Sequence, residues 1–502
     1  MQGLAGSHVL VLGLGASGLA MARWCQRCGA RVTVADTREQ PPQLDALRQT
    51  LPQVQFVGGP LRADLLHDDV RAVFKSPGLS PEVVAPVWAP ARATGLWVGG
   101  ELDLFAAALR DLASEHEAPR VLAITGTNGK TTVTSLTTQL VERCGKRVTV
   151  AGNIGPTLLD TLTEHLDANT LPEVWVLELS SFQLDEVQGF EPTAAVVLNL
   201  TQDHLDWHGS MSAYGAAKAR IFGTLGVMVL NRDDPAVMAM LPEAQRIKGK
   251  SVQRAHVLFG ADMPQRPGDF GVEVVNGMRW LVRAQEADET QKLRRDETPE
   301  LFIQRLMPAD ALRIRGRHNT SNALAALALA QAAGCPLAPM LYGLREYRGE
   351  PHRAQSIAVV HEVEYIDDSK GTNVGATVAA LQGLGEDRKL VVILGGDGKG
   401  QDFSPLAAPV QASARAVVLI GRDAPQIKAA LSHTGVPMID ATTLPEAVQA
   451  AAQSAQAGDA VLLSPACASL DMFENYAQRA KVFVQAVAEL AQDAGVDMGV
   501  QA

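Results

Sequence analysis

The stretch Val121-Leu122-Ala123-Ile124-Thr125-Gly126-Thr127-Asn128-Gly129-Lys130-Thr131-Thr132 decides how the rest of the chain is read. Its opening residues, Val121–Thr125, form a short apolar run that predicts a buried strand, and Gly129–Cys144, closed by Gly145, predicts a helix. Glycines between them let backbone N–H groups close around a phosphate, and the start of a helix adds positive potential there. Lys130 would meet the β- and γ-phosphates of a nucleotide, and the Thr131 hydroxyl a Mg²⁺ ion. Ile124 stands where the longer consensus has its first glycine, so this is a shortened loop that begins at Gly126. The strand before it and the helix after it favour phosphate binding over a glycine turn that happens to hold a lysine.

Upstream, Val9–Gly13 reads as a strand, followed by a Gly-rich turn and an amphipathic stretch ending at Gly29; Arg31–Asp36 is the next strand. Such a strand–helix–strand unit implies a parallel sheet with a right-handed crossover. Gly13-Leu14-Gly15-Ala16-Ser17-Gly18, with Asp36 beyond it, satisfies the dinucleotide spacing. NAD, another nucleotide or a plain tight turn all fit that pattern, and the phosphate loop in the next block tilts the reading away from NAD. Polar Ser114–Arg120 is a linker.

Downstream, strands are expected at Arg147–Val150, Val174–Leu179, Ala194–Asn199 and Gly226–Leu230, and a helix at Asn319–Ala333, ended by Gly334 and Pro336. Met263–Asp310 is polar, most charged at Glu286–Glu300, and reads as a surface insertion of the middle block. A further block begins near Gly349, with strands at Ala358–Ile366, Lys389–Leu394, Ala416–Ile420 and Ala460–Leu463. The fold class is therefore α/β, in three blocks with three cores: residues 1–113, 114–347 and 348–502.

Composition narrows the function. The 502 residues exceed one core, and 47% hydrophobic with 20% charged content is that of a globular protein. A net charge of −11 argues against a nucleic-acid or anionic-membrane surface. No stretch is smooth and long enough to span a bilayer, and the N-terminus lacks a basic leader, so a cytoplasmic protein is expected. Cys25, Cys28, Cys144, Cys335 and Cys467 are scattered, which fits reduced thiols; Cys25 and Cys28, without a second ligand pair, read as packing residues.

Several residues outside the phosphate loop could carry chemistry. Glu178 ends an apolar strand ahead of Ser180 and Ser181, where a carboxylate can be a second magnesium ligand or merely a solvated acid. Asp203-His204-Leu205-Asp206-Trp207-His208 is dense in ligand-type side chains but lacks a zinc-protease spacing; a capped turn fits as well. Lys218 by itself reads as a solvated helical lysine. His318, Asn319 and Asn322 open a helix, where asparagine commonly caps. Asp367–Asn373 and Gly395–Lys399 follow strands, and their lysines and hydroxyls suit an anionic substrate or ordinary turns.

Taken together, these motifs resemble the Mur ligases, ATP-dependent amide-forming enzymes that build the peptidoglycan peptide stem, over nearly the whole chain. Gly126–Thr132 looks like their ATP loop. Gly13–Gly18 with Asp36-Thr37-Arg38, then Asp368-Ser369-Lys370-Gly371-Thr372-Asn373, then Ser464-Pro465-Ala466-Cys467-Ala468-Ser469-Leu470-Asp471, resemble the D-glutamate-adding branch. The resemblance implies a Rossmann-like UDP-binding first domain, a central P-loop ATPase-like domain and a Rossmann-like C-terminal domain. It implies attachment of D-glutamate to UDP-N-acetylmuramoyl-L-alanine through an acyl phosphate, in peptidoglycan synthesis that serves cell shape and division.

The residue roles are implied in the same way. Ala16, Ser17, Asp36, Thr37 and Arg38 would surround the uracil and phosphates, and Asn153 and Ser181 the sugar-peptide end. Gly126, Thr127, Asn128, Gly129, Lys130, Thr131 and Thr132 would hold ATP, with Asn319 and Asn322 at adenine and Arg353 and Asp368 at phosphates and ribose. Thr131 and Glu178 would serve one Mg²⁺, and His204 with a carbamylated Lys218 a second; Lys130, His204 and Lys218 are the catalytic set. Lys370, Thr372, Lys399, Ser469, Leu470 and Tyr476 would hold D-glutamate, with Tyr476 standing where many relatives carry phenylalanine. Partners would be the three substrates, with no nucleic acid or membrane, around a monomer. The rivals are ligases adding other amino acids, whose Asp-Asn-Pro-Arg signature for diaminopimelate is absent, the folylpolyglutamate synthases, a nicotinamide oxidoreductase resting only on Gly13–Gly18, and a regulatory ATP-binding module.

Overall fold

The computed structural model describes residues 2–114, 117–247, 250–288 and 300–496. In the N-terminal region a five-stranded parallel sheet runs in the order Gln55–Gly58, Arg31–Asp36, His8–Leu12, Val70–Lys75, Trp97–Gly99. Every side chain of His8–Leu12 is buried, as expected of a strand covered on both faces by crossover helices. The turn into helix Ala16–Arg27 depends on Gly18: a Cβ there would lie 1.9 Å from the Gly13 carbonyl oxygen, so no other residue lets helix and turn approach so closely.

The central sheet has six parallel strands in the order His256–Phe259, Val227–Asn231, Ala194–Val197, Arg120–Thr125, Val174–Glu178, Val148–Gly152. Helix Arg317–Ala332 is buried along Ala323–Ala330 and packs in one core with helix Lys130–Arg143. The last sheet runs Gln355–Val360, Val363–Asp367, Ala460–Leu463, Leu390–Gly395, Ala414–Ile420, Met438–Asp440, parallel except for its first pair. Among the described residues no helix is long and apolar enough to cross a membrane. Cys25 and Cys28 lie buried in and just after the first helix, where burial pushes both thiols up.

Two expectations are corrected. Met263–Asp310 is not merely a polar surface insertion. It holds a three-stranded antiparallel sheet, Phe270–Val275, Met278–Glu286 and Leu301–Pro308, whose Phe270, Val272, Leu281 and Met307 are buried in the central core. The apolar residues alternate with charged ones, so average polarity concealed a strand with one buried face. The charged run 289–299 lies outside the described residues. The single strand expected at Ala358–Ile366 is a hairpin, because His361 and Glu362 both take positive φ (50° and 62°) and reverse the chain between Val360 and Val363.

In parallel sheets of this kind the loops at the carboxyl ends of the strands, near the point where the strand order reverses, are where ligands generally bind. In the first sheet those loops follow Leu12, Asp36 and Lys75; in the second, Thr125, Glu178 and Val197; in the third, Asp367, Leu463 and Gly395.

Candidate active site

The phosphate loop is built as its sequence requires. Gly129 caps helix Lys130–Arg143 in the left-handed region (φ 86°), and a Cβ there would meet Asn322 Oδ1 at 2.8 Å. Lys130 Nζ folds back onto the loop, donating to the carbonyls of Gly126 (2.8 Å) and Thr127 (2.9 Å). Lys218 is no solvated helical lysine: it is 1% exposed, and its Nζ donates to Gly126 O (2.9 Å) and Thr125 Oγ1 (3.1 Å). Two lysine Nζ atoms thus share the Gly126 carbonyl. Burial lowers the Lys218 pKa well below the usual lysine range, and the Lys130 charge adds to it. Burial lowers Lys130 too, with Glu178 and Asp203 opposing and Arg353 and Lys370 reinforcing.

Glu178 tests whether a divalent cation fits. Its Oε1 accepts from Asn153 Nδ2 (2.9 Å), whereas its Oε2 is buried with no hydrogen-bond partner among the described residues. A buried carboxylate oxygen without a donor is costly unless a cation meets it. With the Thr131 hydroxyl at the first turn of the adjacent helix, the oxygen donors suit Mg²⁺. Thr131 Oγ1 accepts from Arg353 Nη2 at 2.7 Å, which brings an arginine of the C-terminal region onto the phosphate loop.

His204, in the left-handed region at φ 52°, opens a short helix beyond strand Ala194–Val197. Its Nε2 lies 3.5 Å from Asp203 Oδ2, and its ring sits edge-on to Phe182. Burial lowers its pKa; Asp203 opposes this, and the charges of Lys399, Lys130 and Lys218 add to it. His208 Nε2 meets Ser181 Oγ at 3.0 Å. His204 and Lys218 are linked through Tyr214, whose ring lies 6.5 Å from that of His204 and 4.8 Å from Lys218 Nζ.

A cavity of about 780 Å³ opens between the central and C-terminal sheets. Asn319 and Asn322 line it, linked by Asn322 Nδ2 donating to Asn319 Oδ1 (3.0 Å), as do Arg353 and Asp368 across from them. Asp368 is pushed up to about 6 by burial, against hydrogen bonds from Ser464 and Ala354 N and the Arg353 charge. Asn128 and Thr132 also face this cavity. Thr127 points instead to Thr201 and Tyr214, and fixes the loop's far side.

At the N-terminal sheet, Ala16 and Ser17 begin helix Ala16–Arg27 above Gly13–Gly15. Asp36 is fully buried; Oδ2 accepts from Leu14 N (2.7 Å) and Arg38 Nη2 (2.8 Å), and Oδ1 from Arg38 N (3.0 Å) and Nε (2.8 Å). Burial alone would raise its pKa, but these bonds outweigh it and hold Asp36 below the usual carboxylate range. An aspartate so engaged braces the loop and aims Arg38. Thr37 and Arg38 are exposed beside it.

At the third sheet, the loops after three neighbouring strands gather Lys370 and Thr372, Ser469 and Leu470, and Lys399. Asp397 and Ala468 bond reciprocally (2.9 and 2.8 Å) and join two of these loops. Lys370 Nζ donates to Tyr476 OH (2.9 Å); Ser469 is buried, while Leu470 (68% exposed) and Lys399 project outward. Sequence reasoning missed the framing residues. Asn199 bonds Asn128 in both directions, and Asn231 and Asp233 line the large cavity. The run Asn231-Arg232-Asp233-Asp234 at the end of a strand was the available signal.

Residues 7–100 match the "Mur ligase MurD-like, N-terminal domain" family, 124–330 the "Mur ligase middle domain" and 352–467 the "Mur ligase, glutamate ligase domain". The chain is 69% identical over 498 residues to the UDP-N-acetylmuramoylalanine–D-glutamate ligase of Albidiferax ferrireducens, covering 99% of this chain and 98% of the relative. It is 59% identical over 585 residues to that of Polaromonas sp., covering 99% and 100%. Among solved structures, MurF of Acinetobacter baumannii superposes with a TM-score of 0.56 at 19% identity, covering 97% and 91%. The UDP-N-acetylmuramate–alanine ligase of Thermotoga maritima does so at 0.53 and 20%, covering 96% and 99%. These structural likenesses speak for the fold.

Proposed function

The chain belongs to the Mur ligase family, and on that premise we propose that it joins D-glutamate to UDP-N-acetylmuramoyl-L-alanine with consumption of ATP. Relatives bearing that activity in their names match it end to end. The observation that carries the mechanism is a single seam. There the phosphate loop, Arg353 and the loop of Lys370 converge on one cavity.

A carboxylate does not condense with an amine in water without activation. The L-alanyl carboxylate attacks the γ-phosphate of ATP, giving an acyl phosphate and ADP. The amine of D-glutamate then attacks that carbonyl, and the tetrahedral adduct expels phosphate. Lys130, whose Nζ lies on the phosphate loop, and Arg353, which bonds Thr131, would neutralise phosphate charge that repels the carboxylate. Glu178 and Thr131 would hold one Mg²⁺, and His204 with carbamylated Lys218 another; magnesium, when bound, screens the phosphates and polarises the transferred group. Carbamylation replaces a repelled ammonium by an attracted anion. Ala16, Ser17, Thr37 and Arg38 orient the uridine diphosphate, and Asn153 and Ser181 the sugar-peptide end. Lys370, Thr372, Ser469 and Lys399 hold the amino acid, with Leu470 and Tyr476 beside it. Holding three substrates together can remove on the order of 7–11 kcal/mol from the barrier at best. The reaction is assigned to a cytoplasmic monomer.

A coupled phosphate-release assay tests the reading. Release should need ATP, UDP-N-acetylmuramoyl-L-alanine and D-glutamate together, and reduced NAD should change nothing. Release without D-glutamate, or with another amino acid in its place, defeats the assignment.

A further inference from the structure

Arg479 is 1% exposed, yet its guanidinium is used by neither the nucleotide cavity nor the phosphate loop. It lies in the first turn of helix Tyr476–Asp493. Nη2 donates to the carbonyl of Ser369 (2.8 Å) and Nη1 to that of Cys467 (3.1 Å), while Nε has no partner among the described residues. Burial pulls it down to about 10, so it stays cationic at neutral pH, with Asp471, Asp367 and Asp368 acting only as more distant charges. Burying a guanidinium on neutral carbonyls is expensive, and an apolar side chain would fill a helix–sheet core at lower cost. The planar fork gains something packing cannot: it spans two loops with fixed geometry.

Those two carbonyls are specific in what they fix. The Ser369 carbonyl shares a peptide plane with the Lys370 N–H, which donates to His352 O (3.2 Å). The Cys467 carbonyl shares one with the Ala468 N–H, which donates to Asp397 O (2.8 Å). Each plane is therefore pinned at both ends. One leads directly to Lys370, the other to Ser469 and, through Asp397, to the loop of Lys399. Tyr476, three residues earlier on the same helix, accepts from Lys370 Nζ (2.9 Å), so one helical turn grips that loop by backbone and side chain.

We propose that Arg479 is a positioning residue for the amino-acid substrate, holding the loop of Lys370 and Thr372 in register with the loop of Ser469 so that their polar groups can bind a dicarboxylate. This rests on the assignment of those loops to D-glutamate. The test compares full-length Arg479→Met and Arg479→Lys with the parent enzyme, measuring kcat and the KM of each substrate. Thermal melts and calorimetric binding of UDP-N-acetylmuramoyl-L-alanine verify the fold. Arg479→Met should raise the D-glutamate KM about tenfold or more while the other two KM values stay within about twofold; Arg479→Lys, keeping charge but reaching one carbonyl, should fall between. A fall in kcat with all three KM values unchanged means fewer folded molecules, and overturns the proposal, as does a parallel rise of all three. Should Arg479→Met fail to fold, Arg479→Lys is compared with the parent enzyme in its place, and a D-glutamate KM that does not rise alone overturns the proposal. If the parent enzyme itself releases phosphate without D-glutamate, the functional assignment is what has failed.

Discussion

Asn128 and Asn373 exchange two amide hydrogen bonds across the seam between the phosphate loop and the C-terminal sheet: Asn128 Nδ2 donates to Asn373 Oδ1 (3.2 Å) and Asn373 Nδ2 to Asn128 Oδ1 (3.0 Å). The Gly375 backbone lies close against side chains beside the pair. A Cβ on Gly375 would sit 2.6 Å from Thr201 Oγ1 and 3.2 Å from Asn128 Nδ2. Arg353 on Thr131, and Arg279 on Glu386, cross the same seam. The phosphate loop and the C-terminal loops are thereby held together by polar contacts that water can replace, which is how a closing interface differs from a fixed one.

Asn373→Ser should loosen this seam without unravelling its helix. Asn373 Oδ1 also caps helix Val374–Leu384 through Ala376 N (2.9 Å), a task serine performs, but serine is too short to reach Asn128. Losing two neutral hydrogen bonds of about 1 kcal/mol each would shift the closed-to-open ratio by about thirtyfold at most. Solution X-ray scattering should give a larger radius of gyration for the variant, and the ATP KM should rise. An unchanged scattering curve would show that the pair does not govern closure.

Lys218→Ala should be inactive and partly rescued by acetate. The arm of Lys218 ends on Gly126 O and Thr125 Oγ1, at the root of the phosphate loop. Truncation opens a channel in which a small carboxylate can take the place of a carbamate. Phosphate release would be titrated against acetate, with chloride as control. Full activity of the variant without acetate removes the carbamate from the mechanism.

Glu101 makes stability depend on pH. Its carboxyl is 3% exposed, accepts from Leu159 N (3.0 Å) and is raised to about 7, by burial first, with Leu159 N and the Ser17 hydroxyl opposing and Asp160 adding. The ordinary value is 4.5, so between these pH values the native state binds a proton that the unfolded chain does not. Stability is therefore highest below about 4.5 and declines as pH rises to about 7, by about 3 kcal/mol for this group. Glu101→Gln keeps the acceptor and cannot ionise. Its urea midpoint should exceed that of the parent at pH 8 and match it near pH 4; equal midpoints at pH 8 would mean that Glu101 ionises without penalty.

Much of this was legible in local sequence. Val121–Thr132 specified a strand, a turn and a helix because each needs only neighbouring residues, and the apolar runs marked the parallel strands. What escaped depended on distance or on uncommon turns. The reversal at His361-Glu362 uses two left-handed residues that rarely adopt that shape, so no turn signal marked it. Asn276-Gly277 did carry such a signal, with φ of 51° and 79°, but the surrounding charges masked the alternation. Lys218 looked solvated because its neighbours are alanines; only folding brings Thr125 and Gly126 over it. The Asn128–Asn373 pair joins residues far apart in the chain, and no local pattern encodes it.

Tyr476→Phe separates two things that one side chain does. Lys370 Nζ lies 2.9 Å from the Tyr476 hydroxyl and 4.4 Å from its ring centroid, so phenylalanine keeps the cation–π contact and loses only the hydrogen bond. A charge-assisted bond at a half-buried site contributes about 1 kcal/mol to holding the ammonium in one place. The D-glutamate KM should therefore rise about fivefold, with the ATP and UDP-substrate KM values unchanged. Tyr476→Leu, which removes the ring as well, should raise it further. A fall in KM for the phenylalanine variant would mean that the hydroxyl competes with the substrate for Lys370, and an unchanged value that it serves neither role.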